Sequence, residues 1–143
     1  MKKGVDYIGV TISYICHDGK DKYLMNKRGE NCRDERGTWD FGGGGLEVGE
    51  KVEDCLIKEL KEEYGIEPID FTFLGYFDLF RKLGKRGTHW LVLSFLVLVD
   101  PLKVINGEPH KFDKIGWFRL DDLPKPLHSS IPVIFAKFKD KLP

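Results

Sequence analysis

Four consecutive glycines, Gly42 to Gly45, stand just ahead of the one stretch of this chain with a clear helical period. From Lys51 to Tyr64, Val52, Leu56, Leu60 and Tyr64 recur at every fourth position, with Cys55 on the same side. That spacing predicts an amphipathic helix with one apolar stripe. Gly65 falls where a glycine closes a helix in the left-handed conformation. The remaining segments are strand-like. Val5 to Ile15 is β-branched and aromatic, His17-Asp18-Gly19-Lys20 is a hairpin turn signal, and Lys22 to Lys27 is the returning strand. Phe71 to Leu79 reads as a strand, Arg81 to Thr88 as a basic loop, and His89 to Val99 as a central strand. Lys114 to Phe118 is a further short strand, and Ser130 could cap a terminal helix to about Lys139. Strands before and after a central helix indicate an α/β class. With 143 residues and no linker, the expectation is one domain, 1–143.

Between Glu47 and Asp70 there are nine acids and three bases. Glu59, Glu62 and Glu63, at i, i+3 and i+4, share an arc of about 100° on the helix. Carboxylates this close repel one another unless a cation joins them. Mg²⁺ is the natural partner, because it prefers oxygen ligands and binds a few carboxylates together with substrate phosphates. Glycines alongside allow backbone to approach an ion or a phosphate. Taken alone, three glutamates would more often be a solvated helix face.

Their spacing from the glycines gives more. The chain reads Gly44-x5-Glu50-x7-Lys58-Glu59-Leu60-x-Glu62-Glu63-x-Gly65-Ile66. This resembles the Nudix box of the Nudix hydrolase superfamily at every fixed position but Lys58, where the family has arginine. The lead-in Trp39-x-Phe41-Gly42-Gly43-Gly44 is similar to the family's Trp-x-Leu-Pro-Gly-Gly, with Gly42 for proline. Glu47 stands where the family often has an acid. The resemblance implies an α/β/α sandwich around a mixed β-sheet, and a pyrophosphohydrolase using Mg²⁺ or Mn²⁺. It implies that Glu59, Glu62 and Glu63 hold the metal with the Gly44 carbonyl, and that Glu59 activates the attacking water. Glu50 and Lys58 would support these carboxylates, the lysine without the forked contact of an arginine.

The substrate would sit against bases outside the helix. Arg28 ends the second strand, Arg33 and Arg36 follow, and Arg81, Lys82, Lys85 and Arg86 form the basic loop. Phe80, at a strand-to-loop junction, is a candidate nucleobase platform. Trp39, Trp90 and Trp117 read as core, and so does Cys55, whereas Cys32 could be an exposed thiol. Asn106-x-Glu108-Pro109-x-Lys111, then Trp117 and Leu123-Pro124, is similar to the tail of MutT-like nucleoside triphosphate pyrophosphohydrolases, in which Glu108 or Asp113 would approach the metal. The markers of ADP-ribose and dinucleoside polyphosphate hydrolases are missing, since that region reads Arg81-Lys82-Leu83-Gly84.

The resemblance therefore implies cleavage of a nucleoside triphosphate to the monophosphate and pyrophosphate. The enzymatic alternative is an ADP-ribose or nucleoside diphosphate sugar hydrolase, and the non-enzymatic one a Nudix-fold nucleotide-binding module. Lys plus Arg and Asp plus Glu are both 23, so the chain lacks the basic surplus of a protein that binds polymeric nucleic acid. Its best apolar run, Leu91 to Val99, falls far short of the about 20 residues of a membrane span. Three cysteines without a Cys-x-x-Cys pair fit a reducing, cytoplasmic setting. The expected partner is a small nucleotide, and a homodimer is left open.

Overall fold

A computed structural model describes residues 1–143 apart from the side chain of Leu83. Seven strands form one mixed sheet that opens into two wings. In the first wing β1 (Gly9–His17) runs parallel to β6 (Arg86–Leu98), in register from Gly9↔Trp90 to His17↔Leu98. β5 (Asp70–Leu83) pairs antiparallel with the outer side of β6, and β4 (Gly43–Gly45) pairs antiparallel with Thr11–Ser13 of β1. In the second wing β2 (Tyr23–Arg28) lies between β3 (Trp39–Asp40) and β7 (Phe112–Phe118). The wings meet where β1 and β2 pair at His17↔Tyr23.

Each face of the sheet carries one helix, which makes the α/β/α sandwich. α1 (Val52–Tyr64) covers the face where Ile12, Tyr14 and Cys16 project from β1. α2 (Ser130–Phe138) covers the other, with Ile15, Met25, Phe77 and Val92. The side chains of β1 divide between these two cores because successive residues of a strand point to opposite faces. The periodicity of α1 is realised in full, with Cys55, Leu56, Leu60 and Tyr64 all at 0% exposure. Burying a leucine of this kind contributes about 1.5–3 kcal/mol. Gly65 ends the helix at φ 67° and donates its amide to Lys61 O at 3.0 Å.

Three expectations from the sequence change. The first strand begins at Gly9 and not at Val5, because residues 4–7 turn, with the Gly4 amide donating to Tyr7 O at 2.7 Å. Gly4 and Gly9 lie flat on the Trp90 ring, where an added Cβ would come within 2.5 Å. The basic loop is a hairpin: β5 runs through Arg81 and Lys82, and only Gly84 and Lys85 turn, with Gly84 at φ 63°. Ser130 is the first residue of α2 and makes no side-chain cap; its hydroxyl pairs with His128 Nδ1 at 2.8 Å. No helix among the described residues is long and apolar enough to cross a membrane.

Candidate active site

The glycine run and α1 meet edge to edge. Glu63 is turned beneath the run at 1% exposure, and its Oε1 accepts the Gly43 amide at 3.1 Å. Lys111 Nζ stands 3.5 Å from the other oxygen. Burial pushes the Glu63 acid up to about 8, against the opposing pull of Lys111 and the Gly43 amide. Glu59, one turn earlier, presses on Gly44, where an added Cβ would lie 2.2 Å from its carboxyl carbon. Burial and then the charge of Glu62 raise the Glu59 acid, while Lys58 and Lys111 offset this in part. Glu62 faces solvent on the same helix side. Glu108 reaches in from the loop before β7, with Lys111 Nζ 4.0 Å away, and its charge also raises Glu59 and Glu63. Asp113 lies elsewhere, against Gly29, so of the two acids proposed for this loop Glu108 is the one that joins the cluster.

Glu50 and Lys58, expected from the sequence to support the glutamates, pair with each other. Lys58 Nζ donates to Glu50 Oε2 at 2.8 Å and stands 3.8 Å from Glu59 Oε1. Glu50 accepts the Glu47 amide at 3.2 Å through its other oxygen. The Lys58 bond holds the Glu50 carboxyl below its ordinary value. The Gly44 carbonyl accepts the Thr11 hydroxyl at 2.9 Å, beside the Ile12↔Gly44 pair of the β1–β4 ladder.

A cleft of about 580 Å³ opens from the glycines into the gap between the wings. Thr11, Trp90 and Val92 line it on one side, Asn26, Lys111 and Phe112 on the other. Arg28 lines it too, but its guanidinium is engaged: Nε and Nη2 donate to Asp34 O at 3.1 and 3.0 Å, and Nη2 to Asp34 Oδ1 at 2.9 Å. Phe80 is corrected as a platform in the cleft. Strand alternation turns Leu79 and Arg81 inward and Phe80 outward, where it is 68% exposed and packs on His89 with ring centroids 4.5 Å apart. Trp90 is a wall of the cleft and only half buried, while Trp39 is core as expected. Cys32 is buried, with Sγ 3.2 Å from Lys111 O, and is not an exposed thiol.

One cluster escaped sequence reasoning. Asp34, Glu35 and His128 bring one ligand-type atom each within 4.8 Å of one another, the only such group among the described residues. Arg81 already occupies its centre, 2.9 Å from Asp34 and 2.7 Å from Glu35. The Ser130 amide donates to His128 Nδ1 at 3.1 Å, so the ring proton sits on Nε2 and is donated to Glu35 Oε2 at 2.7 Å. Burial works to raise the Glu35 acid, but the bonds from His128 and Ser129 outweigh it and hold it well below the usual carboxylate range. Asp34 and Glu35 are sequence neighbours, but His128 and Arg81 are remote from them, so only the closed fold joins the four.

The family model for the NUDIX domain matches residues 8–138, and the chain belongs to that family. Nucleoside triphosphatase NudI of Escherichia fergusonii is 42% identical over 119 residues, covering 76% of this chain and 79% of that protein. The ADP-ribose pyrophosphatase of Methanocaldococcus jannaschii is 32% identical over 108 residues, covering 73% of this chain and 59% of that protein. The MutT NUDIX hydrolase from Burkholderia pseudomallei superposes with a TM-score of 0.81 at 26% identity, covering 92% of this chain and 98% of that chain. The chain spans 37%, 55% and 59% of the length of three curated relatives it matches.

Proposed function

We propose that the chain is a metal-dependent pyrophosphohydrolase that cleaves a nucleoside triphosphate to the monophosphate and pyrophosphate. One observation carries this reading: Glu59, Glu63 and Glu108, with Glu62 acting on Glu59, gather at the glycine end of the cleft around the amines of Lys58 and Lys111. That charge balance calls for a further cation. The donor set is all oxygen, three box carboxylates with the Gly44 carbonyl beside them, which fits Mg²⁺ or Mn²⁺. When bound, such an ion neutralises phosphate oxygens and lowers the pKa of a coordinated water.

The chain's own groups do the rest. Lys58 stands on the Oε1 side of Glu59, which leaves Oε2, on the Gly44 side, to take the proton of the attacking water. The Gly43 amide orients Glu63, and Lys111 offsets charge on both Glu63 and Glu108. The glycine run has no side chain to bar a phosphate from α1. The name of the relative at 42% identity supports a triphosphate substrate. The relative at 32% identity, named for ADP-ribose, supports the second reading, hydrolysis of ADP-ribose or a nucleoside diphosphate sugar. Phosphorus NMR of the products separates them. Inorganic pyrophosphate is expected from a triphosphate; two organic monophosphates, with triphosphates left intact, would establish the second reading.

A further inference from the structure

Two buried side-chain polar atoms lack a hydrogen-bond partner among the described residues, Asn26 Oδ1 and Arg81 Nε. Both residues line the one cleft, from opposite wings. Buried orphans are few in folded proteins, and each calls for a partner.

The Asn26 amide cannot turn to relieve its orphan. Tyr64 has one hydroxyl proton and donates it to the Phe41 carbonyl at 2.8 Å. Its oxygen can therefore only accept from Asn26, which donates Nδ2 at 2.9 Å. Flipping the amide would set two acceptors face to face. Oδ1 is thus fixed as an acceptor, in a side chain 1% exposed. Asp40 is its cross-strand partner in β3, on the same sheet face, and lines the cleft as well. Asp40 Oδ1 takes the Phe41 amide at 2.7 Å. Asp40 Oδ2 lies 3.9 Å from His128 Nδ1, beyond hydrogen-bond reach, and that nitrogen carries no proton to offer.

We infer that Asn26 and Asp40 read the nucleobase and select bases bearing an exocyclic amino group. One nitrogen with two hydrogens serves both neighbouring oxygens. A carbonyl or a bare ring nitrogen in its place would meet two acceptors and leave them unpaired. Arg81 Nε, on the opposite wing, supplies a donor for a ring nitrogen or carbonyl of the same base. Leu79, Trp90, Val92 and Phe112 give the cleft apolar surface for the ring between them. This inference rests on reading the cleft as a nucleotide site.

The test is calorimetric binding, without metal, of monophosphate pairs that differ by one amino group: AMP against purine riboside monophosphate, CMP against pyrimidin-2-one riboside monophosphate, and GMP against IMP. In wild type, at least one amino nucleotide should bind about 10-fold or more tightly than its partner. Asn26→Leu should erase that difference without weakening the partner lacking the amino group. Tyr64→Phe keeps the ring but frees the amide to turn, and should also reduce discrimination, so the test survives if Asn26→Leu fails to fold. No binding of any monophosphate, no discrimination in wild type, or discrimination retained in both variants would overturn the inference. Hydrolysis of triphosphates with Mg²⁺ by wild type is scored separately. Selective binding without hydrolysis would refute the pyrophosphohydrolase reading alone, and hydrolysis without amino selectivity would refute this inference alone.

Discussion

Gly43 and Gly44 are neighbours in β4, yet alanine should affect them in opposite ways. Neither has a left-handed backbone, so the outcome turns on what a Cβ would meet. At Gly44 the added carbon lies 2.2 Å from the Glu59 carboxyl carbon, about 1.2 Å short of ordinary contact at 3.4 Å. The obstacle is the end of a flexible side chain. Glu59 can swing away, and the fold should lose less than about 1 kcal/mol. The carboxylate then sits more than 1 Å from its place, a displacement that costs about 10²-fold in rate. At Gly43 the added carbon meets the Ile12 carbonyl oxygen at 2.2 Å, which is backbone of the paired strand and cannot rotate aside. Overpacking of this kind costs about 2–3 kcal/mol, or about 10 °C in melting temperature for a domain of this size. The assays are thermal unfolding by circular dichroism and Mg²⁺-supported nucleotide hydrolysis. Gly44→Ala should melt near wild type and be nearly inactive, whereas Gly43→Ala should melt markedly lower. Full activity in folded Gly44→Ala would refute the placement of the Glu59 carboxylate in catalysis.

Further expectations follow from the same geometry. Glu62→Gln and Glu63→Gln, which keep shape and remove charge, should each lower the rate by about 10²-fold or more while the protein stays folded, as steady-state kinetics and circular dichroism would show. Lys58→Ala should raise the Mg²⁺ concentration for half-maximal rate and Lys58→Arg should not, because an arginine still reaches both Glu50 and Glu59; an unchanged midpoint in the alanine variant would make Lys58 an ordinary surface residue. Glu35 has its acid held low by His128 and Ser129, so it stabilises the folded form above its unfolded value of about 4.3 and loses that contribution as pH falls below it. Glu35→Gln should therefore lower stability by about 1–2 kcal/mol at pH 7, allowing for partial exposure, with the gap to wild type closing below about pH 4 in urea titrations.

Much of the glycine and glutamate end of the cleft is local in sequence, and so its geometry was legible. The stripe from Val52 to Tyr64, the left-handed Gly65 and the offsets from Gly44 to Glu63 all lie within one strand-turn-helix unit, where spacing translates directly into geometry. The cleft walls are not local. Asn26 and Asp40 become neighbours only through the β2–β3 register, and Arg81 meets Asp34, Glu35 and His128 only when both wings close. The charge density of Arg81 to Arg86 looked like a loop because a strand is usually inferred from apolar alternation. Here the ribbon alternates instead between Arg81, facing the cleft, and Phe80 and Lys82, facing outward, so polar and apolar residues do not separate by face. The exposed Phe80 illustrates the same point: its residue type suited a base platform, but its parity along β5 sends it to the wrong side.

The most direct test of the central claim, that the α1 glutamates work through a divalent cation, is the hydrolysis rate of the wild-type protein over a nucleoside triphosphate panel in EDTA and after Mg²⁺ or Mn²⁺ is restored. Silence in EDTA and turnover with metal are expected, with pyrophosphate as the inorganic product. Equal turnover in EDTA, or none on any nucleotide with either metal, would contradict that claim.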